Sequence, residues 1–193
     1  MHVLDYGSQM KVANDKTETS YCLLSGRGSI SFGQDYSSLK TIVESDTAIW
    51  VPRGKAHTIT NSGEGPFRIL VAHCKSQAEA GKTNFLKFGD IRPNEMIGLI
   101  NRPVWNSETL RALGSSKTLG VDFETLTPHS VLGTHQHEEE ILYLLRGEGF
   151  VRIKQTNHQV RPGSMVYTGP HVPHSVHNTS DDIFQYLVFE FLP

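Results

Sequence analysis

The sequence predicts an all-β protein in which one barrel- or sandwich-type domain occurs twice. The first observation is an internal repeat. Residues 20–28 (SYCLLSGRG) resemble residues 141–149 (ILYLLRGEG) at an offset of 121, and residues 48–61 (AIWVPRGKAHTITN) resemble residues 165–178 (MVYTGPHVPHSVHN) at 117. Two blocks recurring in the same order mark a duplicated domain. The second is the texture of each copy: short apolar runs such as Ile141–Leu145 and Phe184–Phe189 sit between Gly, Pro, Asn and Ser clusters. Such runs read as strands joined by turns, and their spacing favours a sandwich or small barrel. The third is composition. Seventeen Gly and nine Pro in 193 residues, with few long helix-forming runs, suit many short elements.

The elements follow in order. The first copy starts almost at Met1, so its first strand is short. Gly26 and Gly28 match Gly147 and Gly149, and both pairs look like turns that need positive φ or close backbone approach. The offset falls from 121 to 117, so the first copy carries four extra residues between its blocks, placed in the loop around Asp35 to Lys40. Phe67, Leu70 and Val71 then match Phe184, Leu187 and Val188. Residues 73–118 break the repeat, and 76–118 read as a linker, polar and small from Ser76 to Lys82. Within it residues 107–113 (SETLRAL) form the one plausible short helix, with Ser107 as N-cap and Gly114 as stop. The expected division is 1–75, a linker over 76–118, and 119–193.

Composition excludes several classes. At 37% hydrophobic the chain has enough apolar material for one large domain or two small ones. A net charge of −2 with no basic stretch gives nucleic acid no footprint. No apolar run approaches membrane-spanning length, and no secretory signal is evident at Met1. Cys22 and Cys74 are too few for a disulfide framework, so a soluble cytoplasmic protein with two ordinary thiols is expected.

The densest chemistry lies in residues 134–140 (THQHEEE), with His174 and Asn178 further on. Neutral imidazole and carboxylate are what a borderline divalent ion selects. Residues i and i+2 of a strand share a face, so His135 and His137 can point at one ion. The carboxylate stays open between two residues. On a continuous strand Glu139 shares the face of His137, whereas Glu140 reaches the ion only if a bulge or turn intervenes. His129, His158, His171 and His177 have no comparable support and read as surface or packed histidines, His171 being the nearest to the expected barrel mouth.

His135-x-His137, then Glu140, then six residues to Gly147, resembles the first motif of the cupin family. Gly163, Pro170, Pro173-His174 and Asn178 resemble the second. The likeness covers most of residues 120–191, with a weaker shadow over 1–72. It implies a bicupin, two tandem antiparallel jelly-roll β-barrels, with His135, His137, Glu140 and His174 as metal ligands. Two departures stand out. The gap from His137 to Glu140 is a residue or two shorter than usual, and Gly169 and His171 replace a frequent Pro and Gly. The spacing from Glu140 to Gly147 favours Glu140 over Glu139.

In the first copy His57 and Asn61 keep the second motif, but Asn14, Lys16 and Thr19 fall where His135, His137 and Glu140 stand. A cation and a hydroxyl do not replace imidazole and carboxylate, and Glu18 is a poor substitute. One divalent ion per chain is expected, with His57 a remnant of a degenerate site and the first barrel a scaffold or dimerisation surface. Fe, Mn, Ni, Co and Zn all suit such a mixed N/O set. Open positions on the ion suit a small chelating oxygenated substrate, with Leu142, Leu144, Tyr143, Tyr167 and His171 as pocket candidates. A dioxygenase or an isomerase or decarboxylase is the expected activity, and the motif around Pro170 and His174 resembles bicupin isomerases of hydroxyphenylpyruvate-type substrates. The alternative is a non-enzymatic cupin that binds a sugar or other small molecule. No helix-turn-helix segment is evident, and a homodimer is expected from the habit of the family.

Overall fold

Each copy folds as two antiparallel sheets facing one another. The computed structural model describes residues 1–13, 16–32, 40–75, 87–90, 100–105, 107–112 and 118–192. The first copy runs through β1 (His2–Leu4), β2 (Gln9–Val12), β3 (Thr17–Ser25), β4 (Arg27–Phe32), β5 (Lys40–Glu44), β6 (Thr47–Val51), β7 (His57–Asn61), β8 (Phe67–Lys75) and β9 (Lys87–Asp90). Its sheets have the orders β1-β8-β3-β6-β9 and β2-β7-β4-β5. Then come β10 (Ile100–Trp105), α1 (Ser107–Ala112), β11 (Thr118–Leu126), β12 (Val131–His135), β13 (Glu139–Arg146), β14 (Gly149–Ile153), β15 (Thr156–Val160), β16 (Met165–Thr168), β17 (His174–Asn178) and β18 (Phe184–Leu192). These strands make the sheets β10-β11-β18-β13-β16 and β12-β17-β14-β15.

Strands β11 to β18 thus repeat β1 to β8 one for one, as two jelly-roll barrels. The repeat extends to register. Thr19 pairs with His73 and, correspondingly, Glu140 pairs with Glu190; the ladders also shift at the matching places, between Leu23 and Ser25 and between Leu144 and Arg146. The chain divides into two compact units, Met1–Arg92 with Arg111–Lys117, and Pro93–Leu110 with Thr118–Pro193. The stretch expected to be linker therefore does more than connect. It supplies an edge strand to each barrel, β9 against β6 and β10 against β11. The short helix starts at Ser107 as expected; Gly114, its proposed stop, and most of the loop from Asp35 to Lys40 lie outside the described residues.

Alternation along the strands builds each core between its two sheets. In the first barrel Tyr21, Leu23, Ile49, Val51, Phe67 and Ile69 meet Ile30, Val43 and Ile59. In the second, Leu126, Leu142, Leu144, Phe184, Tyr186 and Val188 meet Val151, Val160 and Val176. Burying each large apolar side chain contributes about 1.5–3 kcal/mol.

The paired glycines divide their labour. Gly26 and Gly147 take φ of 94° and 88°, the left-handed region, while Gly28 and Gly149 allow a close approach. A Cβ on Gly149 would lie 2.0 Å from the His177 carbonyl oxygen, and one on Gly28 2.5 Å from that of Thr60. Asn61 and Asn178 are buried clamps. The Asn178 amide donates to the carbonyls of Thr127 and Asp182 at 2.8 and 2.7 Å, and Asn61 donates to those of Leu4 and Gly65, both at 2.8 Å. Each ties the end of its histidine-bearing strand to neighbouring loops.

Cys22 and Cys74 are buried and not joined in a disulfide, and burial pushes Cys22 up to about 12. Among the described residues no helix is long and apolar enough to cross a membrane.

Candidate metal centre

The second barrel gathers His135, His137, His174, Glu140 and Glu190 at one end, where β12, β13, β17 and β18 meet. The placement follows from how the chain changes sheets. Strand β12 ends at His135 and β13 begins at Glu139, so residues 136–138 cross from one sheet to the other. His137 lies in this crossing and not in a strand. Glu139 and His137 therefore do not share a strand face. Glu140 instead heads the inward row that continues through Leu142 and Leu144, and it is only 2% exposed. Glu139 points the other way and accepts a hydrogen bond from the Tyr167 hydroxyl at 2.7 Å. A further irregularity in the β12–β17 ladder falls between Leu132 and His135, and His135 pairs with His174.

The three rings converge. Their centroids lie 4.3 Å apart for His135 and His174, 5.0 Å for His135 and His137, and 5.9 Å for His137 and His174. One ligand atom from each falls within 4.8 Å of the others, as do atoms of His137, Glu140 and Glu190. The Nδ1 atoms are engaged. His135 Nδ1 donates to the Gly133 carbonyl at 2.6 Å and His174 Nδ1 to the Val172 carbonyl at 2.9 Å, while His137 Nδ1 lies 3.3 Å from Glu190 Oε1. With Nδ1 protonated, a neutral His135 or His174 keeps its lone pair on Nε2. Main-chain carbonyls and a carboxylate on the second nitrogen are the usual supports of metal-bound histidines.

The donor set fits a divalent cation on a specific observation. His174 Nε2 is buried and sits 2.5 Å from Glu140 Oε1, an ion pair when the ring is protonated. A positive charge belongs between the two, supplied by a proton on Nε2 or, with the ring neutral, by a shared cation. Glu140 also faces Glu190 directly across β13 and β18, a like-charge pairing that is unfavourable unless something offsets it.

The titration of these groups reflects the same crowding. Burial works against the Glu140 carboxylate, but His174 and the Thr168 hydroxyl, which donates at 2.9 Å, together hold it below the usual range. Burial opposes a charged His174 as well, yet the Glu140 carboxylate beside it raises it overall. Desolvation lowers His135. Burial raises Glu190, with Glu140 adding to the effect and His137 opposing it. Deeper in the barrel Glu124 accepts a very short hydrogen bond from Tyr186, and burial carries this carboxyl up to about 7.

The other candidates fall outside the cluster. Leu142 and Leu144 share the face of Glu140, but they are packed in the core and line a void of only about 10 Å³. That is barely room for one water, so the interior below the histidine cluster is filled. Tyr143 and Tyr167 lie on the opposite strand face from Glu140 and Thr168, and Tyr167 is exposed. His171 is at the rim: its N–H donates to the His137 carbonyl at 2.7 Å, and Nε2 lies 3.4 Å from Glu138. It latches the crossing that carries His137. His129 pairs with Asp181, His177 stacks on Phe150, and His158 is exposed.

The first barrel holds the counterpart without the ligands. His57 Nδ1 donates to the Lys55 carbonyl at 2.8 Å, as His174 does to Val172, but its Nε2 meets the Tyr21 hydroxyl at 2.5 Å. Thr19, in the place of Glu140, lies 3.0 Å from His73 Nδ1. Lys16 is exposed and Asn14 lies outside the described residues. Glu18, like Glu139, falls on the face away from the interior. Among the described residues no group of three ligand atoms forms there.

Sequence reasoning missed Glu190, Thr168 and the Glu124–Tyr186 pair. Glu190 carried a signal, since it is the lone carboxylate of the apolar strand FQYLVFEFL and shares its inward row with Tyr186 and Val188.

Two facing sheets with a histidine cluster at one end define the class, a cupin-type jelly roll. Residues 122–190, nearly all of the second barrel, match the family described as Cupin domain, and the first barrel repeats the same strand order. Solved structures share the fold over both barrels. A protein described as glyoxylate-induced, from Pseudomonas aeruginosa, superposes with a TM-score of 0.79 at 14% identity, covering 98% of this chain and 72% of that one. A variant of oxalate decarboxylase from Bacillus subtilis gives 0.74 at 14%, covering 97% and 67%. AerE from Microcystis aeruginosa gives 0.77 at 13%, covering 99% and 85%. At such identities the likeness speaks for the fold alone. Among curated proteins no relative matches the chain.

Proposed function

We propose that this protein is a mononuclear metal-dependent cupin enzyme acting on a small chelating oxygenated molecule. The observation that carries the reading is the convergence of His135, His137 and His174, with His174 Nε2 buried and 2.5 Å from the Glu140 carboxylate. These four residues would hold one divalent ion. Oxalate decarboxylase of Bacillus subtilis is described with Mn(II) centres, which makes manganese the first ion to test among Fe, Mn, Ni, Co and Zn. A bound ion supplies Lewis acidity to a chelated carbonyl or hydroxyl, or O₂ chemistry if it is redox-active.

The chain's own residues do the rest. Carbonyls of Gly133 and Val172 fix the rings of His135 and His174, and Thr168 orients Glu140. The packed apolar interior keeps water from the rear of the site. A substrate approaches from the mouth past His171. Isomerase, decarboxylase and dioxygenase chemistry all suit this arrangement.

The test is metal analysis followed by turnover. About one equivalent per chain is expected, lost in His174→Ala and retained in His57→Ala. Two equivalents, or none, sink the one-site reading. Turnover of a chelating substrate should vanish in His135→Ala. Tight binding of such a molecule with no conversion, with and without O₂, would instead make the protein a small-molecule-binding cupin.

A further inference from the structure

We propose that the open edge of β16 is an interaction surface for a second copy of this chain, the two β16 strands pairing antiparallel about a two-fold axis at Val166. The surface lies outside the histidine cluster and needs no metal.

The internal repeat exposes the edge. In the first barrel β6 is followed in its sheet by β9, with Ala48 opposite Gly89 and Trp50 opposite Lys87. Its counterpart β16 is the last strand of its sheet among the described residues. Ala48 and Trp50 are 0% and 1% exposed, whereas Met165 and Tyr167, at the same places in the repeat, are each 55% exposed. An open groove of about 470 Å³ runs along the edge, lined by His158 and Val160 of β15 and by Met165, Val166 and Tyr167 of β16. Sheet edges are commonly blunted by charge or proline, and β16 (MVYT) has neither.

Hydrogen-bond parity sets the register. The Leu144 N–H donates to the Ser164 carbonyl at 3.0 Å, and opposed residues of an antiparallel ladder alternate between bonded and non-bonded pairs. Leu142 and Val166 are therefore a bonded pair, and the peptide groups of Met165 and Tyr167 face the open edge. Of the registers this parity allows, the one centred on Val166 sets Met165 of each copy opposite Tyr167 of the other. Their edge-facing peptide groups then meet, and thioether packs on phenol ring across the axis. Charge agrees with this register. Arg161 lies in the turn that leads into β16, its carbonyl accepting from the Ser164 N–H at 2.8 Å. Glu139 and Glu138 stand at the other end, bound to the Tyr167 hydroxyl and facing His171. The two-fold axis carries Arg161 of each copy toward the glutamates of the other. Such a self-complementary contact closes as a dimer. A strand of four residues covers less than the roughly 800 Å² per partner of a stable complex, so the association is weak.

The experiment is sedimentation velocity on the full chain from about 1 to about 100 µM, where a dimer with a Kd on the order of 10 µM is expected. Met165→Lys puts a solvated charge on each pairing strand and should weaken the dimer about tenfold or more, with the far-UV circular dichroism unchanged. Ile42→Lys, at an exposed site on β5, should leave the dimer as it is. Arg161→Glu should weaken it about threefold. Under mild oxidation Val166→Cys should link into a covalent dimer about tenfold faster than Met165→Cys, since a non-bonded pair on the axis holds its Cα atoms about 4.5 Å apart. Cys22 and Cys74 are buried and do not compete. A wild-type chain that is monomeric at about 100 µM overturns the proposal and leaves the edge to an extended peptide of another protein. A dimer unmoved by Met165→Lys overturns it too, as do equal rates of crosslinking in the two cysteine variants.

Discussion

Tyr21 and His57 close the first barrel's site on itself, with the tyrosine hydroxyl 2.5 Å from the Nε2 that in the second barrel faces Glu140. Both residues are buried, and burial raises Tyr21 and lowers His57, so each stays neutral and the pair is a hydrogen bond. His57 is thus a core residue whose ring is held as that of His174 is, by Nδ1 donating to a main-chain carbonyl two residues earlier. His57→Ala is expected to leave metal content unchanged and to cost about 1–3 kcal/mol of stability, from the orphaned hydroxyl and the space left behind. Denaturant unfolding and metal analysis on the same preparation check both halves. A drop in bound metal would show that the first barrel carries a working site.

Thr168 reaches Glu140 from β16 and is buried beside it. Thr168→Val keeps the shape and removes the donor. Metal affinity is expected to fall about tenfold, at the low end of what loss of a ligand's support costs. Competition with a chromophoric chelator would measure it. An affinity equal to wild type would mean that His174 alone fixes the carboxylate.

The fold was legible because its signals are local or repeated. The Gly pairs, the turn clusters and the duplicated blocks each record a backbone requirement, and a shared requirement shows as a shared residue. His135, His137 and His174 were legible for the same reason. Spacing to Gly147 favoured Glu140 over Glu139, but the reason Glu140 faces inward, that residues 136–138 cross between sheets, is one no periodicity reveals. Glu190 was hidden because its neighbour Glu140 lies fifty positions earlier and meets it only through strand pairing. The edge strands β9 and β10 escaped notice because they have no counterpart in the repeat.

Gly149 records a contact that a side chain cannot share. Its added Cβ would sit 2.0 Å from a backbone oxygen, and backbone cannot swing aside as a side-chain tip does. Gly149→Ala is expected to cost about 3 kcal/mol or more through forced displacement of β17, which carries His174. Gly65→Ala, with nothing within 4 Å of the new atom, is the control and should change stability by less than about 0.5 kcal/mol. Equal stability of the two variants would mean that β14 and β17 separate freely.

Glu124 makes stability depend on pH in a direction opposite to an ordinary salt-bridged acid. Burial is the main cause of its rise from 4.5 to about 7, with Asp122 and Glu140 adding to it and the Tyr186 hydrogen bond opposing. The folded protein therefore holds this proton more tightly than the unfolded chain does. The contribution is fully present below 4.5 and is lost as pH climbs through about 7, a swing on the order of 3 kcal/mol. Glu124→Gln keeps an acceptor for Tyr186 and has no proton to lose. In metal-free protein, wild-type stability should fall relative to the variant between pH 4.5 and 7, with the variant ahead at pH 8. Comparing the two at each pH removes the slope that Glu190, also raised, contributes to both. Parallel curves would mean that Glu124 ionises in the folded barrel as freely as in the unfolded chain.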